Sequence, residues 1–442
     1  MERFFQVKEH GSTVKTEIMA GITTFMAMAY ILMVNAGMFA DPFGDGTNVL
    51  GVSYGAVYVA TAISAVVGTL LIGFLSNLPL AQASGMGLNA YFVYTVCVGM
   101  GLSYTNALVL VLFDGVIFVL LTVTGLRKLI FDAIPHSVKV AISSGIGLFI
   151  AFIGLQNAGI VVNSSSTCVT LHSFNVFTGT ETWATIFPML ITILAVFAIG
   201  AMSKKKVRGA VLWGILGAAV VYYAVGLLTV PGFYASAVAP NLTSDFFGAF
   251  RDFGTQSFLA VFKTGFDFSA YIDANGVGPF VIMLLTTMLA FCMVDMFDTL
   301  GTLYGACSAG GLLDKDGNVP NMDRAMLADA CATCVGAACG TSTVTTFVES
   351  SAGVAEGGRT GLSSMATAAM FFIAMFLSPV AQLIPTYACA AALIYVGVLM
   401  MSNVRNIDWD DPAAAVTGFV TVAFMPLTYN ISYGIAFGLI SY

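Results

Sequence analysis

Apolar runs of about 20 residues follow one another along almost the whole chain, separated by short polar segments. An α-helix needs roughly 20 such residues to cross the hydrocarbon core of a bilayer. The pattern therefore predicts an all-α polytopic membrane protein with 14 transmembrane spans. The predicted spans are 16–38, 52–75, 78–100, 104–126, 136–160, 182–202, 208–230, 277–305, 324–339, 340–356, 360–378, 379–402, 411–427 and 430–442.

The composition supports a membrane protein. Of the 442 residues, 58% are hydrophobic and 9% are charged, whereas soluble proteins carry about 25% charged residues. The sequence contains no basic patch of the kind that binds nucleic acid, which argues against nucleic acid as a partner. His10, His136 and His172 are scattered singly, and Cys331-x-x-Cys334 lies in a small-residue helix, so we expect close helix packing there. We predict neither a metal site nor a cofactor.

Basic residues between the predicted spans indicate the orientation. They precede the first span and follow the fourth, sixth and twelfth spans: Arg3, Lys8, Lys15, Arg127, Lys128, Lys204, Lys205, Lys206, Arg208 and Arg405. With 14 crossings and a cytoplasmic N-terminus, all of these lie on the inner side, as the positive-inside rule requires. Segments 39–50 and 161–181 contain no Lys or Arg and are predicted to be outside. The last span, 430–442, is too short to cross, so we expect it to be incomplete.

Two interrupted spans occupy corresponding places in the two halves of the chain. The third span contains Gly85-x-Gly87, and the tenth contains the Thr-rich stretch 341–346; both are poor material for a continuous helix. We expect each to form a short extended piece followed by a half-helix. Seven spans separate them, and an odd number inverts the topology. The predicted fold is a 7+7 inverted repeat whose broken spans 3 and 10 meet at a central transporter site.

Several carboxylates lie inside predicted spans. Asp295 and Asp298 share one face of span 8, and Glu349 lies a few residues into the second half-helix, near its positive end. Asp114 and Asp329 are isolated in their own spans. An ionised group at the bilayer centre costs roughly 2.5–3.5 kcal/mol, so such residues indicate a site or a pathway. We assign Asp295 and Glu349 to substrate binding, and leave Asp298, Asp114 and Asp329 between proton coupling and helix bracing.

Neutral residues complete the predicted site. Asn89 follows the first broken stretch and offers a donor and an acceptor, although an interhelix hydrogen bond is the alternative. Gly87 and Phe347 each precede a predicted binding residue by two positions and are included in the substrate-binding set. Further along, Glu356 and Arg359 are expected to form a salt bridge with each other at the cytoplasmic end.

Five stretches carry a resemblance to a known family. They are 23–31 (TTFMAMAYI), 85–92 (GMGLNAYF), 145–159 (GIGLFIAFIGLQNAG), 294–302 (VDMFDTLGT) and 340–361 (GTSTVTTFVESSAGVAEGGRTG). These stretches resemble purine permeases of the AzgA-like branch (adenine, guanine, hypoxanthine) of the nucleobase–cation symporter superfamily. The match runs from the N-terminus to Tyr442.

The resemblance implies a core domain of spans 1–4 and 8–11 and a gate domain of spans 5–7 and 12–14. The corresponding segments are 1–126 (core), 127–230 (gate), 231–276 (extracellular link), 277–378 (core) and 379–442 (gate). The resemblance also implies proton-coupled import and a homodimer.

The family's binding residues have counterparts in this chain. Its substrate carboxylates match Asp295 and Glu349, its span-three asparagine matches Asn89, and its second span-eight aspartate matches Asp298. Two departures stand out. Ser84 replaces the usual proline, which can loosen the entry to the half-helix. Aspartate also stands at position 114 in place of glutamate, which shortens the reach of any contact there.

We predict a secondary active transporter of the inner membrane, and not an enzyme, that imports adenine, guanine or hypoxanthine by proton symport with alternating access. Its partners would be the purine, the proton and the lipid bilayer. A purine presents N–H donors, and a carboxylate accepts them through strong charge-assisted hydrogen bonds. Two desolvated acids beside one ligand are not both ionised cheaply, so at least one is expected to hold a proton.

Three alternative functions remain to be compared with this one. An anion transporter on the same fold would use the half-helix N-termini, but Asp295 and Glu349 would repel its substrate. A uracil or xanthine transporter on the same fold is a second alternative, but the xanthine branch has an asparagine after the site glutamate, where this chain has Ser350. An intramembrane aspartyl protease needs two aspartates on different helices, whereas Asp295 and Asp298 share one helix.

Overall fold

Hydrophobic helices account for most of the computed structural model, which describes residues 2–44, 46–125, 135–175, 181–239, 247–309, 311–314 and 318–442. Within these residues, nine helices are long and apolar enough to cross a membrane. Arg127 and Lys128, part of the predicted basic pattern, lie outside the described residues. The fold is therefore that of a mostly helical multi-pass membrane protein.

The first half contains the following elements: α1 (Val14–Met28), α2 (Tyr30–Ala40), α3 (Tyr54–Ser76), β1 (Gln82–Ser84), α4 (Met86–Ala90), a π-helical segment (Tyr91–Gly99), α5 (Tyr104–Thr124), α6 (His136–Asn157), β2 (Val161–Ser164), β3 (Cys168–Leu171), α7 (Trp183–Lys204) and α8 (Ala210–Thr229). Helices α1 and α2 form one span that is interrupted at Ala29. The hairpin β2–β3 follows α6 and pairs Val161 with Leu171.

Short helices lie in the predicted link: a π-helical segment (Tyr234–Val238), α9 (Gly248–Asp252), a second π-helical segment (Phe253–Ser257), α10 (Ala260–Lys263) and α11 (Ser269–Asn275). The second half then contains α12 (Val277–Ala309), α13 (Met322–Cys339), β4 (Val344–Thr346), α14 (Ser350–Ala355), α15 (Gly361–Ala374), α16 (Ser378–Ala381), α17 (Thr386–Met401), α18 (Pro412–Thr428) and α19 (Ile431–Ser441). Most of the predicted spans agree with these helices to within a few residues.

The two broken spans meet inside the protein. Strands β1 and β4 pair antiparallel, with Gln82 opposite Thr346 and Ser84 opposite Val344. The prediction that both stretches contain a short extended piece is confirmed. The second piece is followed by a helix of only six residues, α14, so the predicted half-helix is shorter than expected.

Close helix crossings depend on glycine. A Cβ added to Gly361 of α15 would lie 2.2 Å from the carbonyl oxygen of Gly73 in α3. One added to Gly397 of α17 would lie 2.4 Å from the carbonyl oxygen of Gly147 in α6. Small residues allow helix backbones to approach closely in membrane proteins, and no side chain fits at these two crossings.

Hydrogen bonds connect helix ends that lie on the same side of the protein, and they identify two opposite faces. On one face, which we call the basic face, Ser12 donates to the Gly357 oxygen at 3.2 Å, Asn321 donates to the Ser76 oxygen at 3.0 Å, and Arg208 pairs with Glu356. On the opposite face, the contacts include Ser53 Oγ to Asp252 at 3.0 Å, Tyr54 Oη to the Ala381 oxygen at 3.2 Å and Tyr94 Oη to the Pro42 oxygen at 2.7 Å.

Positive charge differs between these faces. The turns and helix ends of the basic face carry Arg3, Lys8, Lys204, Lys205, Lys206, Arg208, Arg324 and Arg359. The opposite face carries Arg251, which lies beside Asp252, and Lys263. The positive-inside rule then predicts that the basic face is cytoplasmic.

A native cysteine can test this orientation. Cys168 lies in the β2–β3 hairpin after α6 and is the exposed member of the eight cysteines, all of which are described. We expect a membrane-impermeant maleimide to label it in spheroplasts without permeabilisation, because the hairpin lies on the face opposite the basic one. Mass spectrometry of the labelled protein measures the outcome.

The matched control places a cysteine on the basic face. In a Cys168→Ser background, Lys205→Cys should be labelled only after permeabilisation. The reverse result in the two proteins would invert the orientation.

Candidate functional site

The crossing of β1 and β4 is the centre of the candidate site. Its ladder is extended at both ends, because Gly85 N–H donates to the Thr343 oxygen at 3.0 Å and Phe347 N–H donates to the Ala81 oxygen at 3.0 Å. Non-helical backbone at membrane depth has to be satisfied by protein or water. The two broken spans satisfy each other here.

Each strand is bound by a threonine hydroxyl from a neighbouring helix, which hydrogen-bonds both the N–H and the carbonyl oxygen of one strand residue. Thr69 of α3 donates its hydroxyl to the Gln82 oxygen at 3.1 Å and accepts the Gln82 N–H at 3.0 Å. Thr333 of α13 donates to the Val344 oxygen at 3.1 Å and accepts the Val344 N–H at 3.3 Å. This local correspondence between the halves is what an internal repeat produces.

Asp329 joins both strands to two helices. Its Oδ1 accepts hydrogen bonds from Gln82 Nε2 at 3.1 Å and from the Thr346 N–H at 3.1 Å. Its Oδ2 accepts from Thr299 Oγ1 at 2.6 Å, and Thr299 also contacts Thr345 at 2.8 Å. Both oxygens of this fully buried carboxylate are therefore engaged by protein donors, an arrangement that favours bracing among its two predicted roles.

A second buried network holds the start of the first half-helix. Asn35 of α2 donates to Thr61 Oγ1 at 2.7 Å and to Thr341 Oγ1 at 3.0 Å. Ser84 contacts the same Thr341 hydroxyl at 2.6 Å. Ser84 thus ties β1 to the approach to β4.

Glu349 lies just before α14, at its N-cap, and not a few residues into it as predicted. The reason is local, because segment 341–347 stays extended or turned and delays the helix until Ser350. Tyr30 Oη donates to Glu349 Oε1 at 2.6 Å. Tyr30 had no predicted role, although it stands in stretch 23–31 and next to the break at Ala29.

Asp295 and Asp298 lie near the middle of the long helix α12, one turn apart. Asp295 is fully buried. The Oδ2 of Asp298 lies 3.6 Å from the position of a Cβ on Gly85, at the start of α4. Glu349 and Asp329 are close enough to act electrostatically on Asp298. The structure therefore brings Asp298, Glu349 and Asp329 together beside the crossing.

Asn89 is fully buried in α4. Its Nδ2 makes a long hydrogen bond of 3.4 Å to the Ser84 oxygen, while its Oδ1 finds no hydrogen-bond donor in the described part of the chain. A buried acceptor without a donor is costly. A ligand N–H can remove this cost.

Gly87 and Phe347, the other two residues of the predicted substrate-binding set, make different contacts. A Cβ on Gly87 would lie 2.6 Å from Cγ2 of Ile146, so the half-helix packs directly against α6 at this point. Phe347 is 6% exposed and packs in the main apolar core, while its N–H extends the strand ladder.

Asp114 of α5 is fully buried, and its neighbour Gly115 packs against Cys334, since a Cβ added to Gly115 would lie 2.7 Å from the sulfur. The motif Cys331-x-x-Cys334 thus lies in a helix-packing face. Among the described residues, no group of three or more His, Cys, Asp or Glu side chains is arranged to hold a metal ion.

The expected salt bridge between Glu356 and Arg359 is wrong. Glu356 instead accepts from Arg208 at the start of α8, with 2.8 Å between Nε and Oε1. Arg359 donates to the carbonyl oxygens of Val354 and Gly358 at 2.7 and 2.8 Å. Carbonyl groups at the end of α14 lie closer to this guanidinium than the glutamate does.

Glu17 is a buried acid that had no predicted role. It accepts the N–H groups of Arg359 at 3.0 Å and Thr360 at 3.3 Å, and the hydroxyl of Ser363. It thereby caps the approach to α15 from α1. Glu17 lies near the polar start of the first predicted span, so the sequence pattern did not indicate that it is buried.

Taken together, a multi-pass helical fold and a crossing of two broken spans beside buried acids are typical of membrane transporters. The chain belongs to the Permease family, the xanthine/uracil permeases, whose model matches residues 15–437.

Curated relatives cover the whole chain. The guanine/hypoxanthine permease PbuG of Bacillus subtilis is 39% identical over 443 residues, which cover 100% of this chain and 93% of PbuG. The adenine permease AdeQ of Escherichia coli is 35% identical, with coverage of 100% and 89%.

Solved structures share the fold at low identity. The transmembrane domain of the cyanobacterial bicarbonate transporter BicA aligns with a TM-score of 0.57 at 15% identity, covering 96% of each chain. The murine anion transporter Slc26a9 in its inward-facing state aligns with a TM-score of 0.61 at 13% identity, covering 96% of this chain and 67% of Slc26a9.

The position of Asp329 leads to a stability prediction. Asp329→Ala should lower the thermal unfolding midpoint of the detergent-solubilised protein well below that of the wild type. The substitution leaves buried donors from Gln82, Thr346 and Thr299 without an acceptor, at about 1–3 kcal/mol for each unsatisfied group. Asp329→Asn should be intermediate, since one oxygen is retained. Fluorescence-detected size exclusion after heating measures the change.

The matched control is Asp323→Ala, which removes an exposed aspartate from the first turn of the same helix. It should unfold like the wild type. Equal midpoints for Asp329→Ala and Asp323→Ala would contradict the bracing role and return Asp329 to the candidates for proton coupling.

Proposed function

We propose that this chain imports purine nucleobases across the plasma (inner) membrane by proton symport. The observation that carries the proposal is a set of three acceptors: Asp295, buried one turn from Asp298 in α12, the half-buried Glu349 after β4, and the Asn89 oxygen that finds no donor in the described part of the chain. The names of the full-length relatives, which are permeases for adenine or for guanine and hypoxanthine, indicate the substrate class.

The acceptors match the chemistry of a purine edge. A purine presents N–H groups and ring nitrogens in one plane, and hydrogen bonds from N–H groups to carboxylates are about twice as strong as neutral ones. Tyr30 donates to one oxygen of Glu349 and restrains this carboxylate, which would accept a ligand N–H. Asn89 Oδ1 supplies a neutral acceptor at the start of the first half-helix. The same acids disfavour an anionic substrate.

Proton coupling follows from the crowding of acids. Asp298 lies within electrostatic reach of Asp329 and Glu349, and like charges that are screened from water repel each other. A proton bound by one of them reduces this repulsion, and a purine N–H stabilises a carboxylate that stays ionised. Proton binding and purine binding would therefore favour each other, and such a linkage is reciprocal.

Alternating access would arise from movement of the core domain against the gate domain. In the proposed division, α4 belongs to the core and α6 to the gate, and they touch where Gly87 meets Ile146. A side chain at position 87 would obstruct sliding along α6. We further propose that the basic face is cytoplasmic, that the fourteen spans form the 7+7 repeat and that the protein is a homodimer.

Uptake by energised vesicles tests the function. We expect inside-negative, outside-acidic vesicles that contain the protein to accumulate radiolabelled adenine, guanine or hypoxanthine. A protonophore should abolish accumulation with no sodium gradient present. Purine accumulation that persists with the protonophore would contradict proton coupling, and the absence of uptake for all three purines would contradict the substrate class.

The acid variants are the controls for the site. Asp295→Asn and Glu349→Gln preserve side-chain size but remove the charged acceptors, so each should reduce uptake to the level of empty vesicles at normal membrane expression. Asp408→Asn, an exposed acid outside the site, should transport normally. Normal uptake by either of the first two would reject its assignment.

Asn89 should set affinity rather than the existence of transport. Asn89→Ala removes one or two neutral hydrogen bonds, and a lost buried bond of about 1–3 kcal/mol corresponds to roughly 5- to 150-fold in affinity. We expect a higher KM with measurable uptake at high purine concentration. Asn89→Asp should be worse, because it adds another carboxylate near the cluster. Wild-type KM in both variants would show that Asn89 only braces helices.

A further inference from the structure

A cavity lies at the far end of the helical run that carries Asn89. It measures about 390 Å³, within the roughly 300–1,000 Å³ of small-molecule sites. It is lined by Phe43, the 94–100 segment, the 428–430 turn and Tyr433. These segments lie at helix ends on the face opposite the basic one. We call this cavity the outer vestibule.

The vestibule lies apart from the strand crossing. The helical run that contains Asn89 ends at Gly99, which lines the vestibule. Tyr94, the first residue of this run that lines the vestibule, follows Asn89 by five residues and Gly99 follows Asn89 by ten, which correspond to roughly 7 and 15 Å at the usual rise per residue. The two places are thus distinct but joined by one rigid element.

Aromatic rings dominate its wall. Tyr94 and Tyr429 meet edge to face with centroids 5.4 Å apart, and Phe43 lies 6.3 Å from Tyr94. Phe43 and Tyr433 are 45% and 54% exposed, so their rings are open to a ligand. None of the described residues that line the vestibule is charged.

Tyr429 is held there against the preference of its backbone. Its φ of 54° and ψ of 33° are left-handed, a conformation that suits glycine or asparagine at a helix end and is rare for a bulky residue. Its hydroxyl donates to Gln156 at 2.9 Å, and its carbonyl oxygen accepts from Thr95 at 3.2 Å. Strained residues of this kind persist where their surroundings fix them and concentrate at functional sites.

Polar groups around the rings suit a ligand with donors and acceptors in one plane. Asn430 is 7% exposed, its Oδ1 caps α19 by accepting the Tyr433 N–H, and its Nδ2 makes no hydrogen bond within the described part of the chain. The carbonyls of Val98 and Gly99 lie at the end of the π-helical segment, where helical carbonyls lack partners.

We propose that the outer vestibule is a second, weaker nucleobase site, occupied on the path between the outside and the strand crossing. Aromatic side chains bind bases of any kind by stacking. Asn430 Nδ2 would donate to a ring nitrogen or oxo group, and the helix-end carbonyls would accept ring N–H groups. The identity of the ligand rests on the proposed function.

Equilibrium binding of radiolabelled adenine and hypoxanthine to the purified protein in nanodiscs tests the proposal. The wild type should bind two purines per chain, one tightly and one weakly. Asp295→Asn combined with Glu349→Gln should remove the tight site and leave the weak one. Adding Tyr433→Ala to that pair should weaken the remaining binding by about 5-fold or more, as expected for a lost stacking ring.

Two further variants separate binding from folding. Phe437→Ala removes an exposed ring one turn along α19 that does not line the vestibule, and it should leave the weak site unchanged. Tyr429→Asn suits the left-handed backbone but loses the hydrogen bond to Gln156. Its thermal unfolding midpoint is therefore measured together with its binding, and it should weaken the weak site while the protein stays folded at the assay temperature. Loss of all binding in the double acid variant would reject the proposed vestibule site but not the central site. The same conclusion would follow if neither Tyr433→Ala nor Tyr429→Asn changed the affinity of the weak binding. A wild type that binds no purine would overturn both.

Discussion

The antiparallel crossing of β1 and β4 is the contact on which the rest of the site depends. Each strand has three residues, and such short strands are not stable by themselves. They persist because helix-borne side chains bind them, with Thr69 and Thr333 on the backbone and Asp329 across both strands. The crossing in turn sets the start of α4 and the position of Glu349.

The acids near the crossing are of two kinds, which differ in the number of hydrogen bonds that they accept from the protein. Asp329 accepts several internal hydrogen bonds and is part of the framework. Glu349 is held by one tyrosine, and Asp298 lies beside the entry to α4. A framework acid costs the fold a great deal if it is lost, whereas an acid with spare acceptor capacity is available for a substrate or a proton. Burial alone does not separate these roles.

The shared fold with BicA and Slc26a9 shows how much the side chains at the crossing matter. Those two proteins are a bicarbonate transporter and an anion transporter, and they align over nearly all of this chain at 13–15% identity. A fold of this kind hosts more than one chemistry, so the substrate has to be argued from the site. Here the residues at the crossing are acids and acceptors, which suit a ligand that donates hydrogen bonds.

The sequence by itself determined the multi-pass class, most helix limits and the two broken segments, because each follows from local hydrophobicity and backbone propensity. It also placed Asp295, Asp298, Glu349 and Asn89 within predicted spans. Only the tertiary structure decided their partners. Tyr30 bonds Glu349 across 319 positions, and Gln82 bonds Asp329 across 247. Such contacts depend on how helices pack, to within an ångström, and no local pattern in the chain encodes that geometry.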